Sequence, residues 1–179
     1  MVHRRTDIKR EALSPTAWKG EVARWYDSLV GEKGSPFHRD LIFPQVLRLL
    51  NLNKGERVLD LACGQGAFCR VLQKAGVTAV GIDASAELID MARKRSGSRI
   101  QYVVGTAARL DLFPPGSFDA ITCILAIQNI DPVASVFSGC GRLLRQGGRL
   151  VLVMSHPAFR IPRQSEWGWD ERRKLLYRR

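Results

Sequence analysis

The 179-residue sequence lacks several features that would place it in a special class of protein. It has no apolar run long enough to cross a bilayer, no low-complexity tract and no internal repeat. The basic N-terminus, MVHRRTDIKR, is not followed by an apolar segment, which argues against a secretory signal. With a hydrophobic content of 45%, we expect one globular domain with a substantial core, in the cytoplasm and without a membrane partner.

Paired cysteines are also missing. The four cysteines are scattered along the chain and form no C-x-x-C pair, so the usual spacing of a zinc site is absent. Three of them lie in or beside apolar segments, where a reduced thiol packs as a small hydrophobic group. We therefore expect reduced thiols and no metal. The cysteines are Cys63, Cys69, Cys123 and Cys140.

Basic residues, by contrast, clearly outnumber acidic ones, 28 to 17. The net charge is +11, and the ends hold much of it: residues 1–10 carry four basic and one acidic group, and residues 160–179 carry seven basic and three acidic groups. A basic surface attracts phosphate-rich partners such as nucleic acid. Charged ends that keep the protein soluble explain the same pattern, and we favour that interpretation.

The order of apolar segments predicts an α/β fold. Helical spacing predicts helices over residues 16–30 and 37–50, the second with a kink at Pro44. Five mostly apolar strands then alternate with helices, which is typical of a doubly wound, mostly parallel, Rossmann-like sheet with helices on both faces. The strands are RVLDLAC, VTAVGID, IQYVVG, FDAITCILA and GGRLVLVMS. We divide the chain into an N-terminal helical cap (1–52), a Rossmann-like core (53–158) and a basic, aromatic tail (159–179).

Asp60 and the glycine turn behind the first strand indicate where a ligand binds. Ligands of such sheets lie at the carboxyl ends of the strands, and glycines let a ligand approach the backbone. The sequence departs from the dinucleotide pattern G-x-G-x-x-G, because Cys69 follows Gly64 and Gly66 at the third position. A carboxylate at Asp60 would repel a pyrophosphate but suits an amino group. Asp83, which ends the second strand, can accept hydrogen bonds from a ribose diol.

Four stretches resemble the successive motifs of class I S-adenosylmethionine-dependent methyltransferases: VLDLACGQG, VGIDAS, FDAITCILAIQNI and LLRQGGRLVLVMSHPAF. The similarity covers roughly residues 56–158. The preceding WYDSLVGEKGSPFHRD resembles, less specifically, the cap of the members that act on small molecules. The resemblance implies strand order 3-2-1-4-5 and transfer of a methyl group from S-adenosyl-L-methionine to a small-molecule substrate, leaving S-adenosyl-L-homocysteine.

The resemblance also implies a set of cofactor-binding residues. The turn would hold the methionine part beside Asp60, Asp83 would hold the ribose, and the segments after the third and fourth strands would border the adenine and close the site. Many relatives carry an aspartate where this chain has Thr106, so Thr106 or a backbone group would contact the adenine edge. The expected cofactor-binding residues are Tyr26, Asp60, Ala62, Cys63, Gly64, Gly66, Asp83, Ala84, Thr106, Ala107, Ile124 and Leu125.

A general base is needed only if the acceptor loses a proton. His156 follows the fifth strand at the edge where an acceptor would sit, so it is the candidate catalytic residue, weighed equally against a structural histidine. His38 in the cap could contact cofactor or substrate, but we favour a structural role. Gln128 and Asn129 face the acceptor, whereas Asp119 lies at the wrong end of the sheet and Asp131 is interpreted as a helix cap, with Pro132 at the first helical position.

Two other functions stay open. A methyltransferase acting on RNA or another polyanion fits the basic ends, although AIQNIDP is not the turn of amino-directed nucleic-acid enzymes. An inactive S-adenosylmethionine-binding module is the second alternative. The tail shows no hairpin, so the usual last two strands are expected to be missing and the fifth strand to be an exposed edge. That edge would be covered by the tail or by a second copy in a homo-oligomer, or the sequence is a piece of a longer protein.

Overall fold

The computed structural model describes residues 18–155, together with the backbone of 167–170 and 175–178. The helices are α1 (Glu21–Val30), a π-helix (Phe37–Ile42) continuing into α2 (Phe43–Leu50), α3 (Ala67–Lys74), α4 (Ala86–Ser96), α5 (Val133–Leu143) and 3₁₀ turns at Gly97–Arg99 and Ile127–Asn129. The strands are β1 (Arg57–Leu61), β2 (Thr78–Asp83), β3 (Gln101–Val104), β4 (Phe118–Ile124), β5 (Leu144–Val153), β6 (Trp167–Asp170) and β7 (Leu175–Arg178).

The predicted sheet is confirmed. Its five strands have the order β3-β2-β1-β4-β5, and every neighbouring pair is parallel. The central strand β1 lies in register with both neighbours, so that Leu61 pairs with Ile82 on β2 and with Cys123 on β4. The carboxyl ends of β1, β2 and β4 therefore meet at one edge, which is where the order of the strands reverses.

Hydrophobic clusters cover both faces of the sheet. One includes Val58 of β1 and residues of α1, α2, α3 and α4, so the N-terminal helices pack into the same core as the sheet. The other includes Leu59 and Leu61 of β1 together with residues of β4 and α5. Neighbouring β1 side chains thus point to opposite faces, and both faces are buried, as the apolar runs predict.

Several local predictions need correction. The first helix begins at Glu21 rather than residue 16, because Gly20 before it has a positive φ of 58°. Pro44 lies in the first turn of α2, directly after the π-helix, so the helix over residues 37–50 changes from π to α at the proline where the sequence predicts an irregularity. Asp131 does not cap α5. The residue before that helix is Pro132, and no side chain caps its N-terminus.

The prediction that the tail contains no hairpin is wrong. β6 and β7 pair antiparallel in a two-stranded sheet of their own, with Trp167 opposite Arg178 and Asp170 opposite Leu175. WGWD and LLYR contain aromatic residues, which favour strands, but the charge of the tail obscured this signal. Within the described residues β5 still pairs with β4 alone, so pairing of that edge with a second copy stays a prediction.

All four cysteines are free, and three of them, Cys69, Cys123 and Cys140, are buried. No helix in the described ranges combines the length and apolarity that crossing a bilayer requires.

Candidate functional site

A cavity lies at the carboxyl edge of the sheet, bordered by the segments that follow β1, β2, β3 and β4. Its empty volume is about 930 Å³, part of it open to solvent. Its lining is mainly apolar and includes a few polar groups, which is the usual composition of a small-molecule site. The lining residues are Trp18, Tyr26, Ala62, Gly64, Asp83, Ala84, Leu88, Thr106, Ala107, Ile124, Leu125, Ala126, Asn129, Ile130 and Asp131.

Asp83 is held in this cavity by backbone N–H groups. Gly64 N donates to its Oδ2 and Ser85 N donates to its Oδ1, both at 2.8 Å. Burial raises the pKa of Asp83, and these two hydrogen bonds oppose the rise. A carboxylate has about four acceptor sites, so a fixed Asp83 retains capacity for two hydroxyl donors. This is the geometry that a ribose diol requires.

The backbone is left-handed where β1 and β4 reach the cavity. Ala62 and Leu125 both have φ of 53°, a conformation that non-glycine residues rarely adopt. Leu125 is held there by its N–H, which donates to Val153 O at 2.7 Å. Such outliers cluster at functional sites, where the surrounding structure stabilises them.

A second cavity adjoins the first and lies deeper under the cap. Its empty volume is about 360 Å³, and Tyr26, Ala62 and Ile124 line both cavities. Its other lining residues are Val30, His38, Phe43, Asp60, Cys63, Gln65, Ala67 and Phe68. A ligand extending from the first cavity into the second would therefore pass beside Tyr26 and the turn after β1.

Asp60 is a buried carboxylate whose partners are uncharged. Thr122 Oγ1 donates to its Oδ1 at 2.8 Å, and Cys69 Sγ donates to its Oδ2 at 3.5 Å. Burial raises the pKa of Asp60 to about 7, while these two hydrogen bonds oppose the shift. A cationic ligand group beside Asp60 would supply the charge that its protein partners lack.

The cap is fixed over the site by polar contacts with α4. Ser85 Oγ donates to Trp18 O at 2.6 Å, Gly20 N donates to Glu87 Oε2 at 2.6 Å, and Arg95 forms a two-pronged ion pair with Asp27 of α1. The rings of Trp18 and Tyr26 meet edge to face, with centroids 5.3 Å apart. Burial, with smaller contributions from Asp83 and Asp60, raises the pKa of Tyr26 to about 12, so this phenol stays protonated near neutrality.

The structure brings most of the predicted site residues together. Those lining one cavity or both are Tyr26, Asp60, Ala62, Cys63, Gly64, Asp83, Ala84, Thr106, Ala107, Ile124 and Leu125. Gly66 borders neither cavity. A Cβ there would lie 2.3 Å from the hydroxyl of Tyr102, and φ is 77°, so this glycine serves the packing of α3 on β3 rather than the approach of a ligand.

The other residues that the sequence singled out differ in whether they border a cavity. Asp119 is structural, since its Oδ2 accepts from Arg57 N at 2.7 Å and its Oδ1 pairs with Arg145 at 2.6 Å. Asn129 lines the first cavity, whereas Gln128 Nε2 donates to Leu125 O at 2.6 Å. His156 lies outside the described residues.

Sequence reasoning missed residues that reach the cavities from the cap and from the segment after β4. The sequence places Trp18 only within the helix predicted over residues 16–30, and it predicts that Asp131 caps a helix, whereas both line the first cavity. Trp18 lies eight residues before Tyr26, and residues seven or eight apart share one face of a helix. This spacing was the signal that could have placed Trp18 beside Tyr26. No sequence pattern indicated that Gln65 lines a cavity. Its buried side chain is oriented by a tertiary contact with Arg70, which donates to Gln65 Oε1 at 2.5 Å.

The fold and the two cavities define a nucleoside-binding α/β domain of the class I methyltransferase type. The sequence model of the methyltransferase domain family matches residues 59–152, more than half of the chain. The chain belongs to this family, the class I S-adenosylmethionine-dependent methyltransferases.

Three relatives illustrate the similarity. The demethylmenaquinone methyltransferase of Tropheryma whipplei strain Twist is 36% identical over 112 residues, which cover 62% of this chain and 46% of the relative. The ubiquinone biosynthesis O-methyltransferase of Thiobacillus denitrificans is 32% identical, over 70% of this chain and 55% of the relative. This chain thus spans about half the length of these two relatives.

The third is a solved structure, the S-adenosylmethionine-dependent methyltransferase from Mesorhizobium loti. It superposes with a TM-score of 0.66 at 29% identity, covering 72% of this chain and 61% of that one.

Proposed function

We propose that this chain binds S-adenosyl-L-methionine across the two adjoining cavities and transfers its methyl group to a small organic acceptor. The observation that carries the proposal is a pair of carboxylates at the reversal point of the sheet, of which Asp60 is buried and Asp83 is partly buried. Asp83 lies in the larger cavity and Asp60 in the smaller, and Tyr26, Ala62 and Ile124 line the connection between them. One acidic group in each of two adjoining cavities suits a ligand in which a nucleoside is joined to an amino acid.

The residues present fit the parts of that ligand. Ala84, Thr106 and Ala107 offer a flat, mainly apolar border for the adenine, and Asp83 offers acceptors for the ribose. Gly64 has φ of 55°, and a Cβ there would lie 3.1 Å from the ring of Tyr26, so the turn brings the backbone close to this tyrosine without a side chain between them. Asp60, in the smaller cavity, is placed for the ammonium of the methionine part.

Bound S-adenosylmethionine supplies an activated methyl group, so the protein's task is orientation and exclusion of water. Trp18 and Tyr26 cover the site from the cap, and Ile124 and Leu125 line it from the end of β4. The acceptor lone pair must reach the methyl carbon opposite the breaking carbon–sulfur bond. Asn129 and Asp131, at the segment after β4, are the polar side chains placed to orient such an acceptor.

The names of the two sequence relatives make quinone precursors the first acceptors to test. One relative is named for demethylmenaquinone and the other for ubiquinone biosynthesis. Phenolic and quinone rings also suit a site whose walls combine aromatic and aliphatic side chains with few polar groups.

The test combines binding with turnover. Purified protein is titrated with S-adenosylhomocysteine by calorimetry, then incubated with methyl-labelled S-adenosylmethionine and a panel of quinone precursors and other phenols. We expect saturable one-to-one binding and labelled product from at least one ring acceptor. Absence of binding at millimolar ligand would contradict the proposal.

The same experiment separates the two alternatives. Transfer to RNA that falls steeply between low and moderate salt would favour a polyanion acceptor, since phosphate contacts release counterions. Tight S-adenosylhomocysteine binding without transfer to any acceptor would favour an inactive binding module.

A further inference from the structure

The two cavities are acidic although the protein is basic overall. The chain has a net charge of +11, but within its described part the charged side chains that line the larger cavity are both carboxylates, Asp83 and Asp131. The smaller cavity adds Asp60 and one histidine, His38, whose pKa is lowered by burial, so its ring is mainly neutral near pH 7. At neutral pH the described lining therefore supplies no full positive charge to attract an anion.

Asp131 is the carboxylate that the proposed cofactor contacts leave unused, because Asp83 is assigned to the ribose and Asp60 to the ammonium. The residues that border the adenine follow β2 and β3, whereas Asp131 follows β4, on the other side of β1. It belongs to a group of lining residues that we call the acceptor end of the larger cavity: Ala126, Asn129, Ile130 and Asp131. The acceptor end is thus separated from the adenine border by the width of the central strand.

Asp131 is exposed and lines the cavity, so its side chain lies at the rim. Among the described residues no arginine or lysine forms an ion pair with it, although several other carboxylates pair with arginine, namely Asp27, Asp40, Glu56, Asp90 and Asp119. The other members of the acceptor end are uncharged. The negative charge of Asp131 therefore acts directly on a ligand that approaches this end of the cavity.

We propose that Asp131 makes the acceptor end select ring acceptors by charge, so that it favours those that carry an ammonium, admits neutral ones and rejects those that carry a carboxylate. The inference rests on the proposed function and adds the charge class of the acceptor to it. A carboxylate attracts a cation and repels an anion over several ångströms. Repulsion of the wrong ligand is a common source of specificity.

The bound cofactor leaves this selection in place. S-adenosylmethionine carries a sulfonium, an ammonium and a carboxylate, so its single net positive charge is smaller than the two negative charges that ionised Asp60 and Asp83 present. Asp131 then adds a further negative charge beside the acceptor. The same arrangement disfavours a polyanion as acceptor, because its phosphates would meet this carboxylate at the rim.

The test compares three catechols of nearly equal size as ligands of the protein saturated with S-adenosylhomocysteine, by calorimetry. Dopamine carries an ammonium, 4-(2-hydroxyethyl)catechol is neutral, and 3,4-dihydroxyphenylacetate carries a carboxylate. One charge pair at an exposed rim changes an affinity by about threefold. For the wild type we therefore expect the ammonium compound to bind about 10-fold more tightly than the carboxylate, with the neutral compound between them.

Variants assign this preference to Asp131. Asp131→Asn keeps the size of the side chain and removes its charge, so the preference should fall to about threefold or less, and Asp131→Lys should reverse it. Asp111→Asn is the matched control, because Asp111 is exposed and lines neither cavity. It changes the net charge of the protein by the same amount and should keep the wild-type preference.

The wild type alone supplies a second measurement. Between 0.1 M and 1 M sodium chloride the screening length falls from about 10 Å to about 3 Å. The preference for the ammonium compound should therefore decrease several-fold, while the affinity for the neutral catechol serves as the reference. This measurement decides the question if the Asp131 variants do not fold.

The outcomes separate charge selection from the proposed function. Charge selection would be overturned by a wild-type preference near one, by a preference that salt leaves unchanged, by the absence of binding of all three catechols at millimolar concentration, or by an Asp131→Asn protein that keeps the full preference. Equal loss of affinity for S-adenosylhomocysteine and every catechol in Asp131→Asn would also overturn it, by showing a structural role. Only failure of the wild type to bind S-adenosylhomocysteine would overturn the proposed function itself.

Discussion

Asp60 is buried and Asp83 is partly buried, and the partners of these carboxylates give them different roles. Asp83 accepts two backbone N–H groups at 2.8 Å and lines the larger cavity, whereas Asp60 accepts from a hydroxyl and a thiol in the smaller one. A carboxylate bound by backbone donors is positioned for hydrogen bonding. One with neutral side-chain partners is positioned to receive a cation.

Asp83→Asn tests the first role. The substitution keeps the size of the side chain but removes its charge and one acceptor, so we expect S-adenosylhomocysteine to bind at least about 10-fold more weakly, from the loss of a charged hydrogen bond worth about 1.5–3 kcal/mol. Calorimetry measures the affinity. Asp90→Asn, on the exposed side of α4, is the control, and equal affinity of the two variants would contradict the assignment of Asp83.

The raised pKa of Asp60 leads to a second prediction, which concerns how the free energy of unfolding depends on pH. Its pKa is raised to about 7 in the fold, against about 4 in an unfolded chain, so the folded state holds a proton that the unfolded state has already lost. The free energy of unfolding of the ligand-free protein should therefore decrease as the pH rises from 4 to 7, and this contribution is absent above pH 7. In the Asp60→Asn protein this part of the decrease should disappear, and urea unfolding of both proteins at pH 5 and pH 8 would measure it. An identical pH dependence of the free energy of unfolding in the two proteins would rule the explanation out.

At the scale of elements, α1 depends on α4 for its position over the site. The ion pair of Asp27 with Arg95 is largely buried, with 17% and 29% of the two side chains exposed, so about 1 kcal/mol is a reasonable coupling energy. Arg95→Ala should loosen α1, raise hydrogen exchange of its amides and weaken S-adenosylhomocysteine binding a few-fold. Arg99→Ala, four residues further along, is the control, and a matching response from it would show that the ion pair does not fix the cap.

The elements also show which parts of the sequence were informative. The alternation of buried strands and helices predicted all five strands of the main sheet, because a strand buried on both faces must be apolar along its length. Asp60 and Asp83 were identified because charged residues at the ends of such strands are unusual. The same turn motif predicts that Gly66 contacts the ligand, but in the structure Gly66 packs against Tyr102. That contact joins distant segments, and no local sequence pattern encodes it.

Across the whole molecule, what sequence reasoning missed lies in contacts with the cap. Trp18 reaches the larger cavity only because the cap, with α1, folds back over the carboxyl edge of the sheet. The β6–β7 hairpin was missed for a different reason, since its strands are four residues long and surrounded by charge. Short strands carry too few residues for their alternation to be recognised.

The central claim is that one ligand spans both cavities, and a crystal structure of the protein with S-adenosylhomocysteine tests it most directly. The account predicts ribose hydroxyls on Asp83 and the ammonium near Asp60. A nucleoside bound outside these two cavities, or a ligand whose amino acid end turns away from Asp60, would contradict it.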